Sequence, residues 1–258
     1  VFTRPTSSLR AAVREIEVDR ALMPEAPGSY YLNPYVGCMI GCEFCYVAER
    51  ADFSRELAGL PALPWGRWVD VKVNAAEVLR EEVKTLTPGP VRMSPILTDP
   101  YQPLERRYRV TRGCLEVLRD AGFTPVILTR GARIVEDLAL LSSFPRAVAG
   151  FSIPTDDDRV REQFEPGADP IEERVAALEA LHEAGLSTFA VIQPVLPMDP
   201  ARLAAMLAPI VERVRVDRMH SMERALPLYE RAGCPDAATD DWARRTQAEI
   251  VAALRERG

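Results

Sequence analysis

Three of the five cysteines fall within eight residues: Cys38, Cys42 and Cys45, in NPYVGCMIGCEFCYVAER. Thiolates spaced Cys-x3-Cys-x2-Cys can converge on one soft metal or cluster. Structural zinc wants a fourth ligand, and only Cys114, Cys234, His182 and His220 could supply it, all distant in sequence. Three unrelated core thiols is a second reading, since free cysteine is often buried; the clustering argues against it. A cubane iron–sulfur cluster with three protein thiolates suits the count. It leaves one iron open, and an open metal position is what binds a substrate or cofactor directly.

The elements that must position these thiols are read from an alternation. Short apolar, β-branched or aromatic runs at 30–33, 68–73, 91–97, 124–129, 147–153, 187–193 and, more weakly, 211–216 predict strands. Helical patterns at 74–87, 104–121, 169–184, 199–213 and 240–258 lie between or after them. Asn74, Asp169-Pro170 and Asp199-Pro200 read as helix starts, and Gly122 and Gly185 as stops. In the last helix Trp242, Ile250 and Leu254 form the inner stripe. Repeated strand–helix alternation means parallel strands with right-handed crossovers. Six or so units make a partial (β/α)6 barrel of TIM type, an α/β fold whose chemistry sits at the C-terminal strand ends.

With the thiols on the loop after the first such strand, the chain resembles the radical S-adenosylmethionine (SAM) superfamily. Cys38, Cys42 and Cys45 match its cluster ligands and Phe44 its aromatic position near the adenine. A narrower set of motifs covers nearly the whole chain: NPYVGC, LTDPYQPLE, LTRGA, FSIPT, EPGADPIEERVAALEALHEAG and QPVLP. Together they look like the spore photoproduct lyase-like (DNA repair photolyase-like) family. The resemblance implies a [4Fe–4S] cluster whose open iron chelates SAM. It further implies that an electron from the cluster cleaves SAM, and that a 5'-deoxyadenosyl radical takes hydrogen from a substrate. Such a cluster needs an electron donor such as flavodoxin or ferredoxin.

Residues that end or follow the predicted strands supply further candidates, and the resemblance assigns roles to some of them. Thr98 and Asp99 face SAM or cap a turn. Thr129 and Arg130 stand where the family often carries a Thr-Lys pair, and the Arg130 fork suits the SAM carboxylate. Ser152 matches a hydroxyl donated toward the SAM amino group. Arg174 is either a SAM contact, a buried structural contact, or half of a helix-face ion pair with Glu173 or another acid. Gln193 and Pro194 stand where the family packs adenine or substrate, and Tyr46 either covers SAM or joins the core. Tyr101, with Gln102 and Glu105, is expected to face the substrate. His220 is a candidate acid/base and Cys234 a candidate hydrogen-atom donor. Cys114 reads as a buried apolar residue and His182 as structural.

One departure bears on the substrate. Spore photoproduct lyases proper carry a cysteine just before the Thr-Asp element, and Ser94 stands there here. A serine O–H is too strong to give hydrogen readily to a carbon radical. The expected substrate is therefore a small molecule or nucleoside-like compound, in a lyase or oxidoreductase reaction. DNA lesion repair and a non-catalytic redox or sensing centre are the alternatives. Cys114 and Cys234 are too few for an auxiliary cluster.

Composition bounds the rest. The 258 residues carry a net charge of −6, which argues against tight non-specific nucleic-acid binding. The Arg106, Arg107, Arg109 and Arg112 run reads as a solvated helix face, with phosphate contact as the competing reading. No apolar run is long enough to span a membrane, and VFTRPTSSLR lacks the apolar core of a secretory signal. Five cysteines, an odd number, do not make a disulfide scaffold, and an oxygen-labile cluster suits a cytoplasmic location. A single domain is expected: an N-terminal extension over 1–28, a barrel core over 29–220 and a C-terminal helical extension over 221–258.

Overall fold

The structure, a computed structural model, describes residues 11–94, 96–220 and 223–258. Its main sheet is built from β2 (Leu22–Ala26), β3 (Ser29–Leu32), β6 (Pro90–Met93), β7 (Thr124–Thr129), β8 (Val148–Ser152), β9 (Ser187–Ile192) and β10 (Arg213–Val216). Their order is β10-β9-β8-β7-β6-β3-β2. Every pair from β3 to β10 is parallel, and β2 joins the edge as an antiparallel hairpin arm. Residues from β3 and β10, five places apart in that order, line one cavity. The sheet therefore curls on itself into a partial barrel with a gap between β2 and β10.

Side-chain alternation sets what faces that barrel. On β7, Pro125, Ile127 and Thr129 are buried under the outer helices, while Thr124, Val126 and Leu128 point inward and stay half-exposed. The outer face packs against α2 (Ala75–Glu82), α4 (Val110–Asp120), α5 (Leu138–Ser142), α7 (Ile171–Glu183) and α8 (Pro200–Leu207). The last helix, α10 (Asp240–Arg255), lies on α8 with Ala243, Thr246 and Ile250 buried. No helix among the described residues is long and apolar enough to cross a membrane.

The run at 68–73 does form a strand, β5 (Trp68–Lys72), but outside the barrel. It is the centre of a three-stranded sheet, between β1 (Ala12–Ile16) and β4 (Tyr35–Val36). The reason is β1, which lies in the stretch read as an extension. β1 pairs with β5 over its whole length, and Arg14 forks onto Asp70 at 2.7 and 2.9 Å. Asn74 does not cap α2 with its side chain; it grips both the N–H and the carbonyl of Val18 at 2.9 Å.

The single helix expected over 104–121 is two. Between α3 (Glu105–Tyr108) and α4, Arg109 takes a left-handed φ of 51°. The Glu105 carboxylate fills the break by accepting the Thr111 and Arg112 N–H groups, both at 3.1 Å. Asp199 caps α8 as expected, whereas Asp169 accepts from the Ala132 N–H and Pro170 stands at the start of α7. The sequence signals did not anticipate α1 (Val47–Leu57), α6 (Asp158–Phe164) or α9 (Leu226–Arg231).

Candidate active site at the barrel mouth

The thiol loop leaves β4 and is held by its neighbours' backbones. Gly37 has φ 84°, and a Cβ there would lie 2.7 Å from the Trp68 carbonyl. The Gly37 N–H donates to the Leu97 carbonyl, and the Gly37 carbonyl accepts from Thr98 Oγ1 at 2.7 Å and Gln102 Nε2 at 3.3 Å. The Met39 N–H donates to Gln102 Oε1. Further along, the Ile40 carbonyl accepts from the Gly167 N–H, and the Glu43 N–H donates to the Phe164 carbonyl. A Cβ on Gly167 would sit 2.6 Å from the Met39 carbonyl, so only glycine lets the chain before α7 press on the loop.

So held, Cys38, Cys42 and Cys45 share one small cavity with Asp99, Thr98, Trp65 and Arg130. Cys38 and Cys42 are buried and Cys45 is half-buried. Burial pushes the Cys38 thiol up to about 12, with Asp99 adding to it. Burial also drives Cys42 well up, against the pull of the Arg130 guanidinium. Metal binding replaces those protons, which is how a buried thiol becomes a ligand. Among the described residues no three donors close on a single ion. Three thiols around a cavity instead suit a multi-iron cluster, which is broader than one ion.

Behind the thiols lies a buried charge network. Asp99, at the turn after β6, accepts from Thr129 Oγ1, the Arg130 N–H at 2.8 Å and the Tyr101 N–H at 2.9 Å. Burial nevertheless holds its pKa above the ordinary carboxylate value. Arg130 Nε donates to Glu165, and Arg174 Nη1 donates to the other Glu165 oxygen at 2.7 Å. Burial alone would raise the Glu165 pKa, but the Arg174 and Arg130 charges outweigh it and the net shift is downward. Burial opposes the Arg130 charge, yet Cys42 and Glu165 push its pKa up on balance. Its guanidinium also stands 5.8 Å from the Phe44 ring.

The thiol cavity opens past Cys42, Cys45 and Arg130 into a larger one of about 310 Å³ inside the barrel mouth. Phe44, Tyr46, Ser152, Gln193, Pro194 and His220 all line it. Gln193 Nε2 and His220 Nε2 are 3.1 Å apart, and Tyr46 meets the His220 ring edge-on at 6.2 Å. The Gln193–Pro194 peptide is cis. Thr98 and Asp99 border the thiol cavity, while Thr129 is buried beneath it and bonded to Asp99. An anionic and an amino group entering here would meet the Arg130 fork, the Ser152 hydroxyl and the Gln193 amide. The donor set thus fits both a cluster and a zwitterionic cofactor.

Tyr101, Gln102, Glu105, Cys234 and Arg174 lie elsewhere. Tyr101 is buried on the outer side of the strand end, its hydroxyl on Asp137 at 3.0 Å. The loop after β6 turns Tyr101 and Glu105 into the core, where Glu105 also accepts from the Tyr35 hydroxyl. Cys234 is half-buried in a separate surface depression with Asp156 and Trp242. Arg174 is fully buried and holds Glu165, the Ser152 carbonyl and the Asp169 carbonyl, without bordering the cavity. The cavity is also lined by Tyr31, Arg92, Ser94, Ile96, Leu128, Val191, Arg215, Arg218 and Met219, which the sequence motifs did not mark as site residues. Strand alternation was the signal that could have found most of them.

A family profile described as "Radical SAM superfamily" matches residues 32–207, more than half of the chain. An uncharacterized protein of Methanocaldococcus jannaschii is 29% identical over 186 residues, 71% of this chain and 67% of that protein. A protein of Pseudomonas phage M6 named "Radical SAM Nalpha-GlyT isomerase" is 28% identical over 166 residues, 64% of this chain. The match spans 33% of the phage protein's length. Among solved structures, a spore photoproduct lyase variant with bound AdoMet and dinucleoside spore photoproduct superposes with a TM-score of 0.61. That superposition covers 95% of this chain and 78% of the other at 15% identity, a likeness of fold.

Proposed function

Because the chain belongs to the radical SAM superfamily, we propose that it is a radical enzyme acting on a small-molecule or nucleoside-like substrate. Cys38, Cys42 and Cys45 would hold a [4Fe–4S] cluster, and Arg130, Ser152, Gln193 and Phe44 would hold SAM. When bound, the two supply reductive C–S cleavage and a carbon-centred radical that takes hydrogen from the substrate. The protein's part is binding, shielding and placement. Arg130, anchored by Glu165, presents a fixed fork to a carboxylate. Ser152 and Gln193 offer a hydroxyl and an amide from neighbouring strands. Phe44 and Tyr46 wall the mouth against water.

The observation that carries this reading is the shared cavity of three thiols opening past Arg130 into the barrel. Ser94 lines that cavity in place of a thiol, which favours a substrate other than a thymine lesion. The cluster's need for reduced thiols favours a reducing compartment, the cytoplasm. The test is anaerobic reconstitution with iron and sulfide, then dithionite and SAM. We expect 5'-deoxyadenosine and methionine from the wild type. Cys38→Ala, Cys42→Ala and Cys45→Ala should lose both cluster absorbance and product. An intact cluster that yields no 5'-deoxyadenosine would sink the enzyme reading and favour a redox or sensing centre.

A further inference from the structure

Below the mouth, the inner face of the barrel holds a second cavity of about 830 Å³. Four arginines line it: Arg92 on β6, Arg146 just before β8, and Arg213 and Arg215 on β10. Its other walls are apolar or uncharged, among them Val126, Val148 and Phe189, and no carboxylate lines it. Among the described residues the side chains of Arg146 and Arg213 make no hydrogen bond or ion pair. Arg92 and Arg215 engage Glu25 and Asp217 only through Nε, which leaves their terminal amino groups uncommitted. Like charges gathered in one concavity repel one another, so the arrangement favours an anion between them.

We propose that this floor binds the phosphoryl group of a small-molecule substrate. Several guanidinium forks suit a phosphoryl dianion, which offers three acceptor oxygens, better than a lone carboxylate. Arg92 and Arg215 line both cavities, so floor and mouth are one trough. The register places Arg215 level with Val191 and Ser152, and Arg213 level with Phe189. Arg213 is therefore two residues, about 7 Å of strand, below the Ser152 level. A substrate bound this way carries its phosphoryl group several bonds from the carbon held near the thiols. The volume is that of a small-ligand site. The arginines lie within the barrel of an acidic chain rather than on its outer face, which favours a small molecule over a polynucleotide.

The site stands on its own geometry, and only the place of the reacting carbon rests on the radical SAM reading. The test titrates the full chain with inorganic phosphate and with a nucleoside monophosphate at low salt, followed by calorimetry. Loss of two charge-assisted contacts in the R146Q/R213Q double variant should weaken both ligands by about tenfold or more. Both positions are exposed, so the melting temperature should not move. R244Q, on α10, should bind as the wild type does. Unchanged phosphate affinity in R146Q/R213Q would overturn the proposal. So would a single-stranded oligodeoxynucleotide that binds more tightly than the monophosphate through the same arginines. Phosphate binding without 5'-deoxyadenosine formation would fault the enzyme reading and leave the anion site standing.

Discussion

Substitution of Glu165 by glutamine puts the buried network to a quantitative test. The Glu165 side chain is fully buried, Arg174 is fully buried, and Arg130 retains 10% side-chain exposure. The carboxylate serves both guanidinium groups at once. An amide of the same shape can accept from one arginine, but its NH2 then faces the other, donor against donor. One buried cation is left uncompensated, a defect of about 3–5 kcal/mol. Against a typical stability of about 5–15 kcal/mol, that is a large share. Urea unfolding of E165Q, with the slope checked against wild type, measures it. At about 2–4 °C per kcal/mol for a chain of this size, the melting point should fall on the order of 10 °C. A loss below about 1 kcal/mol would refute the argument, because it would place the two arginines in water.

Other outcomes follow from the same geometry. Gly167→Ala places a Cβ 2.6 Å from the Met39 carbonyl, so the thiol loop must shift; iron bound per chain after reconstitution should fall while the far-UV spectrum holds. In the native chain a thiol reagent should modify Cys234 and spare Cys114, whose thiol burial pushes to about 12, until denaturant is added. Arg161, with the Ile171 N–H assisting, holds the Asp158 carboxyl below its ordinary value of 3.8. A depressed carboxyl stabilises the fold above that value and loses the contribution as pH falls through the folded pKa. Asp158→Asn should therefore flatten the acid side of the stability–pH curve and lower the plateau at neutral pH.

The sequence carried the thiol loop because its chemistry is local: three cysteines within eight residues need no tertiary knowledge to suggest one site. Strand ends were legible for the same reason, and Arg130, Ser152, Gln193 and His220 do meet at the cavity. What failed was non-local. β5 reads as a barrel strand from its own residues, and only pairing with β1, 56 positions away in register, removes it from the barrel. Side-chain direction in a turn is equally invisible. Tyr101 and Glu105 follow a barrel strand, yet Asp137 and the Thr111 and Arg112 N–H groups draw them into the core outside the barrel mouth. The inward arginines were each visible as residues, but their convergence belongs to the closure of the sheet.

The gap in the barrel leaves β10 as one of the two edges of the main sheet among the described residues. A free strand edge is a template on which a second chain can add by backbone pairing. This edge reads Arg213-Val214-Arg215-Val216, with a cation at every second position. Two copies that approached edge to edge would bring those cations together. The residues proposed to receive an anion thus also guard against intermolecular sheet growth. Colloidal behaviour should accordingly track occupancy of the trough, and neutralising β10 should shorten the shelf life of concentrated protein before it alters the fold.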